Sequence, residues 1–581
     1  MSARAAAALV VLLGVVTGAA AAPGAAAAAT RTWYVEAGAA DGGRGTTRAA
    51  PLATLAAVEA KSRAGDRIVV LPAVTALDGG LQLKPRQRLI GDGRSVTGGL
   101  PADAPAPRLT NSTAVHLEGD AVRLADRTTV RNIRVTGARR GGVYGTDVRK
   151  VSVLASDISG HNVGCTRGFL IPPFNVPTTV AGVGIPISAG LHNGWAGIMV
   201  DIGSGRSQIA IRGNQVHDAD CGDGIDIRVS GDADVRATIA GNDVRELRQG
   251  DDLESVLAIG LQTRERSRLV ARVEGNRQSG LGNDEDPGLG PAGADSEGVF
   301  VNVVGPSSLR ATIVRNRYTH TPGRGGFSAN GLEFVSMGDG GRGLVEVSDS
   351  TFSGTPGDVI EQLALGTGAR LRMRLDNVVA SGSTGFGGSG FGDTVVIPGN
   401  NADCLIAASG GARNVVDLAV RRSRLTDCAN NGLTFGSSVA NGTGPTQELA
   451  LHVSDSTIAG NHAGNLRIAN AGAVSRLSAL VQRTDLSGSG GVGSTPANLT
   501  IEDLGDASNA TIDLGGGGLG SLGGNCLQGG TFAAAVVGFD VSARGNWWGT
   551  PGGPAPGRAL AIGGALDTGA PLPAAPARCR P

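Results

Sequence analysis

From about Ala121 onward, apolar and polar positions alternate in short runs that recur at fixed relative offsets. One unit reads small polar or acidic residue, glycine, apolar, variable, apolar. Its clearest copy is Asp223-Gly224-Ile225-Asp226-Ile227, and Glu297–Val301, Asn330–Phe334 and Asn431–Phe435 repeat it. Looser copies align at Gly197–Val200, Ser255–Ile259, Asp358–Gln362, Asp403–Ala407 and Gly464–Ile468. A period of two belongs to a β-strand, so the flanking apolar residues point inward and the variable residue outward. In order, that outward column is Met199, Asp226, Ala258, Phe300, Glu333, Glu361, Ile406, Thr434 and Arg467, and Tyr144 fits an earlier copy.

A second column follows each unit after another alternating run: Asn214, Asn242, Asn276, Asn316, Ser350, Val378, Ser423, Ser456 and Thr484. The interval from Glu333 to Ser350 equals that from Glu361 to Val378. Two columns that hold their offset while turn lengths vary predict a solenoid. Small polar residues stacked at such a turn can bond neighbouring backbones, so the second column reads as structural. The expected fold is all-β: a right-handed parallel β-helix, since parallel crossovers take the right hand. The gaps 283–293 and 382–401 read as projecting loops.

The two ends differ from the middle. Residues 1–29 read as a signal peptide, with Arg4 before an apolar run too short for a comfortable membrane span. Residues 30–80 hold an opening strand at Thr32–Glu36 and a capping helix from Leu52 to Lys61, started by Pro51 and stopped near Gly65. Residues 81–515 form the β-helix. Residues 516–581 form a C-terminal closing segment around Asn546-Trp547-Trp548-Gly549, whose tryptophans are expected to plug the core.

Tyr34-Val35, Gly45-Thr46, Pro51, Gly65-Asp66 through Pro72 and the Asn546–Gly549 string together resemble secreted bacterial proteins of the pectate-lyase-like superfamily of right-handed parallel β-helices. That resemblance implies export and action on, or binding of, polysaccharide. Lyases of this kind use Asp-bound Ca²⁺ with an Arg or Lys base; hydrolases use clustered Asp residues. The "NTD", "GHG" and "RIK" strings of polygalacturonase-like hydrolases are absent, and Gly250-Asp251-Asp252 is a faint echo of their paired acids.

Composition narrows the picture. Gly is abundant at 95 residues and aromatics are 3%, which suits a stack of coils with small inward aliphatics. Formal charge is zero, so no nucleic-acid or polyanion partner is implied, and the excess of Arg over Lys reads as genome composition. In an exported chain the six Cys are expected to pair as Cys404–Cys428, Cys526–Cys579 and Cys165–Cys221; their spacing matches no zinc pattern. No segment offers a transmembrane anchor, and a monomer is expected.

Candidate chemistry lies on the outward column. Glu333 and Glu361, on adjacent coils, would stand about 5 Å apart and serve as acid and base, with Arg228 as the lyase-type alternative base. Asp201, Asp226 and Phe300 are candidate ligand-binding residues. Asp218, Asp220 and Asp223 are candidate Ca²⁺ ligands, because several carboxylates facing one loop supply the oxygen set that Ca²⁺ takes. Asp-rich turns are also common without any metal. The first reading is a secreted β-helix that binds extracellular or cell-surface polysaccharide. The alternatives are a polysaccharide lyase or glycoside hydrolase, and a structural or adhesive surface protein.

Overall fold

Each repeat folds into one coil of three strands. The coil carrying Asp226 consists of Ile225–Val229, Asp234–Ala240 and Asp243–Leu247. Each strand pairs in parallel with its equivalents on the neighbouring coils. The computed structural model describes residues 29–172, 174–176, 185–187, 191–250, 255–284, 295–324, 329–385, 402–437, 447–470, 473–490, 497–503, 505–507 and 509–579. Residues 1–28 of the signal peptide, Asp251, Asp252, and residues 285–293 and 386–401 of the two loops lie outside them.

Among the described residues the strands build three long sheets. Sheet 1, with Ile225–Val229, has 17 strands; sheet 2, with Asp234–Ala240, has 18; sheet 3, with Asp243–Leu247, has 11. This is a parallel β-helix, and its right hand follows from the crossover preference. Ile225, Ile227, Val235, Ile239 and Val244 point into the tube and are fully buried. Equivalent residues of successive coils stack into one continuous core.

The second column forms a ladder at the corner between sheets 2 and 3. Asn214 Nδ2 donates to Asn242 Oδ1 at 3.0 Å, Asn242 Nδ2 to Asn276 Oδ1 at 2.9 Å, and Asn276 Nδ2 to Asn316 Oδ1 at 2.9 Å. Ser350, Ser423 and Ser456 continue it by accepting from backbone N–H groups. Asn525 and Asn546 extend it beyond Thr484. Asn546 of the Asn-Trp-Trp-Gly string is therefore a rung of the ladder as well as part of the closing segment.

The ends are closed as the sequence suggests, with shifted boundaries. The helix runs Leu55–Lys61, capped by Thr54, whose hydroxyl accepts from Ala57 N at 3.1 Å. Leu55 and Val58 are buried at the open end of the core, while Leu52 lies before the helix and bridges Val35. Trp548 joins the core, and Trp547 Nε1 donates to Gln528 Oε1 at 2.6 Å. Parallel pairing already begins at Thr32–Val35 and continues through Phe532–Val537 and Ala559–Ile562, so the stack exceeds residues 81–515 on both sides.

All three disulfides form as expected: Cys165–Cys221, Cys404–Cys428 and Cys526–Cys579, with Cα–Cα distances of 5.3, 5.5 and 5.5 Å. No helix among the described residues is long and apolar enough to cross a membrane.

Candidate active site

The register of sheet 1 assembles the outward column. Arg123, Tyr144, Met199, Asp226, Gly260, Phe300, Glu333, Glu361, Ile406, Thr434 and Arg467 are neighbours on successive strands. One position is corrected: Gly260, not Ala258, pairs with Asp226. The true copy is Leu257-Ala258-Ile259-Gly260-Leu261, in which Leu257 replaces the polar residue and Ala258 the glycine. Ala258 packs in the core.

From Met199 to Thr434 these outward positions are buried, while Arg123, Tyr144 and Arg467 at the ends are half-buried. Met199, Asp226, Phe300 and Ile406 have no exposure, and Glu333 and Glu361 are 9% and 2% exposed. Leu257, Phe300, Val335, Met337, Leu363 and Ile406 form an apolar cluster separate from the tube's core. Carboxyl groups on this face thus sit in low-dielectric surroundings.

Asp223 and Asp226 form the most perturbed pair. Both are fully buried. Asp223 Oδ1 accepts from Leu257 N at 2.8 Å, and the pair is further approached by the Asn193 side chain at Asp223 and the Gly260 backbone at Asp226. The two carboxyls interact directly, so they are placed to share a proton. Burial, reinforced by the Asp226 charge, pushes Asp223 well above the ordinary carboxyl range. Burial raises Asp226 to about 7, against the opposing pull of Arg228. Gly260 makes room for this pair: a Cβ there would lie 2.6 Å from Asp226 Oδ1.

Three coils along, a second acidic group gathers. Glu333 and Glu361 are directly in register on adjacent strands, about 4.8 Å apart at the backbone. Asn330 Nδ2 donates to Glu361 Oε2 at 2.9 Å and lies 3.5 Å from Glu297 Oε1. Glu297 is fully buried and pairs across the sheet with Asn330. The structure therefore brings Glu333 and Glu361 together and adds Glu297 and Asn330.

The remaining candidates divide. Asp201 and Arg228 are in register, one coil apart, and Arg228 Nη1 donates to Gly168 O at 2.9 Å. Burial raises the pKa of Asp201, with Arg228 acting against it. Asp218 and Asp220 are exposed and separate from this face. Asp218 lies on a sheet 3 strand and accepts from His217 Nδ1 at 2.7 Å, with His217 Nε2 2.8 Å from Asp157. The proposed set Asp218, Asp220 and Asp223 does not converge, because the coil's corner sends Asp218 to sheet 3 and Asp223 to sheet 1. Among the described residues no group of three His, Cys, Asp or Glu side chains is arranged to hold a metal ion.

An aromatic platform lies at the N-terminal end of the acidic row. Tyr144 and Trp195 meet edge to face with centroids 5.0 Å apart. Arg140 stands over the Trp195 ring at 4.1 Å and Arg123 over Tyr144 at 5.5 Å. Trp195, Glu297 and Asn330 were missed in the sequence. The signal for the last two was present, since the first position of the repeat unit is rich in carboxyl and amide groups, but such residues also suit turns.

No protein-family model matches the chain, and no curated protein sequence matches it.

Proposed function

We propose that this is an exported β-helix that binds a polysaccharide chain laid along the outward face of sheet 1. The observation that carries the reading is the pair of buried acidic groups on this face, Asp223 with Asp226 and, beyond the coil of Leu257 and Gly260, Glu297, Asn330, Glu333 and Glu361, with the Tyr144–Trp195 platform at one end. Carboxyl and amide groups gathered on one face suit a ligand that supplies hydroxyls, and aromatic faces favour sugar rings. Three disulfides suit an oxidising compartment.

A second reading, glycoside hydrolysis on the same face, is favoured by the Asp223–Asp226 pair. A carboxyl group kept protonated near neutral pH can act as general acid, and a neighbouring carboxylate can act as base or nucleophile.

Affinity electrophoresis against a panel of neutral and acidic polysaccharides tests the first reading. At least one polymer should retard the protein, and Trp195→Ala and Glu333→Gln/Glu361→Gln should each reduce that retardation. A panel with no retardation would leave the structural or adhesive role in its place. New reducing ends, lost in Asp226→Asn, would establish hydrolysis; unsaturated ends would point to a lyase instead.

A further inference from the structure

The neutral formal charge conceals a division between faces. While sheet 1 carries buried acids, the outward face of sheet 2 carries arginines. On its seven strands from Lys150–Leu154 to Arg370–Asp376, the outward charged residues are eleven basic and four acidic. We propose that this face of sheet 2 is a binding surface for an extended acidic polysaccharide, carboxylated or sulfated, independent of sheet 1.

The geometry is that of a linear polyanion site. The register sets two parallel columns, one through Asp234, Arg268, Ser308, Arg342 and Arg370, the other through Arg236, Val270, Arg310, Leu344 and Arg372. Along five consecutive coils an arginine alternates between them: Arg236, Arg268, Arg310, Arg342, Arg372. All five are exposed. The rise per coil is about 4.8 Å and the columns stand about 6.6 Å apart, so the zigzag spans about 19 Å. That rise is close to the length of one sugar residue in an extended chain, which lets successive acidic groups meet successive coils. Ser308, between Arg268 and Arg342, and Val415, on the coil after Arg370, leave a shallow groove bordered by Arg268, Arg310, Arg342 and Arg370.

The charges are available. Arg236, Arg268, Arg342 and Arg370 have no carboxylate within ion-pair distance among the described residues. Arg310 pairs with Glu346 at 2.7 Å and Arg372 with Asp417 at 3.6 Å, but both pairs are exposed and such pairs contribute little, so a ligand can displace them. Arg342 and Arg370 are directly opposed on neighbouring strands, an arrangement that destabilises a sheet. A stack of like charges, four of whose six arginines have no internal carboxylate partner, fits an external counter-charge better than a stabilising role. The seven strands contain no aromatic residue. Single-stranded nucleic acid is gripped by base stacking on aromatic side chains, so the face suits an acidic glycan rather than a nucleic acid.

The test compares the wild type with Arg236→Gln/Arg268→Gln/Arg342→Gln/Arg370→Gln for binding to polygalacturonate, dextran sulfate and an oligothymidylate over a range of salt. A control, Arg44→Gln/Arg277→Gln/Arg317→Gln/Arg424→Gln, removes the same charge elsewhere. The sheet 2 variant should lose roughly tenfold or more in affinity for an acidic glycan, and its slope of log affinity against log salt should fall by roughly three. Its thermal midpoint should stay level or rise, because stacked like charges are removed. Equal losses in the control, an unchanged affinity in the sheet 2 variant, or tighter binding of the oligothymidylate than of either glycan would overturn the proposal. The sheet 1 reading rests on Trp195, Glu333 and Glu361 variants instead, so either reading can fail while the other stands.

Discussion

Asp226→Asn isolates the electrostatic character of the sheet 1 face. Asp226 is fully buried beside Asp223, and its carboxyl is raised from 3.8 to about 7 chiefly by that burial. The change corresponds to about 4 kcal/mol, shared with the adjoining Asp223. The sign follows from proton counting. Below about pH 4 both folded and unfolded chains hold the proton, and ionisation has no effect on stability. Between about pH 4 and 7 the unfolded chain releases it while the folded chain keeps it, so stability falls as pH rises. Above about 7 the full penalty is present. Asparagine has nearly the same shape and cannot ionise, so the variant lacks this component, and removal of the Asp226 charge also relaxes the upward push on Asp223. Urea midpoints of wild type and variant from pH 4 to 8 should diverge progressively, the variant gaining, and run parallel above pH 7. Infrared spectra should show a protonated carboxyl absorption in the wild type above pH 5.5 that weakens in the variant. A midpoint difference independent of pH, together with no such absorption, would refute the reasoning.

Further outcomes follow from other parts of the stack. Burial pushes His217 down, but hydrogen bonds to Asp157 and Asp218 outweigh it and raise its pKa above 6.5. Its stabilisation is therefore complete below 6.5 and lost as pH rises through the folded value; His217→Gln should be less stable than wild type at pH 5–6 by a margin that closes in alkali, and an imidazole titration midpoint below 6.5 would contradict this. Asn276→Ala removes the acceptor of the Asn242 N–H and the donor to Ile239 O, leaving both buried, and should cost about 3 kcal/mol in urea unfolding; a loss under about 1 kcal/mol would mean the rung is replaceable. Cys579→Ser opens a bridge of sequence separation 53 and should lower stability by roughly 2–4 kcal/mol, with early proteolysis of the C-terminal tail; a digestion pattern equal to that of the oxidised wild type would show that the bridge does not hold the tail.

Much of the architecture was legible because a β-helix writes itself into sequence as fixed offsets. Asp226, Phe300, Glu333 and Glu361 fell into one column, and Asn214 to Thr484 into another, from spacing alone. The slip at Ala258 arose where Leu257 and Ala258 stand in for the polar residue and glycine of the unit. The nine-residue strand Ser255–Thr263 is buried throughout, so alternation gave no guide to its register. Trp195 escaped because it lies between strands, outside the repeat unit, and meets Tyr144 only through the fold.

By itself the sequence determined the repeat, the direction of most side chains of the unit and the ladder, since all of these depend on local periodicity and coil-to-coil offset. Tertiary structure alone decided the environment of those side chains. An outward residue is solvated or buried according to what packs over its sheet, which is why Asp226 titrates near neutrality while Asp218, eight residues earlier, is exposed on another face. Charge obeys the same rule. Composition reports only the sum, which is zero. Register decides which charges share a face, and it places the acids on sheet 1 and the arginines on sheet 2.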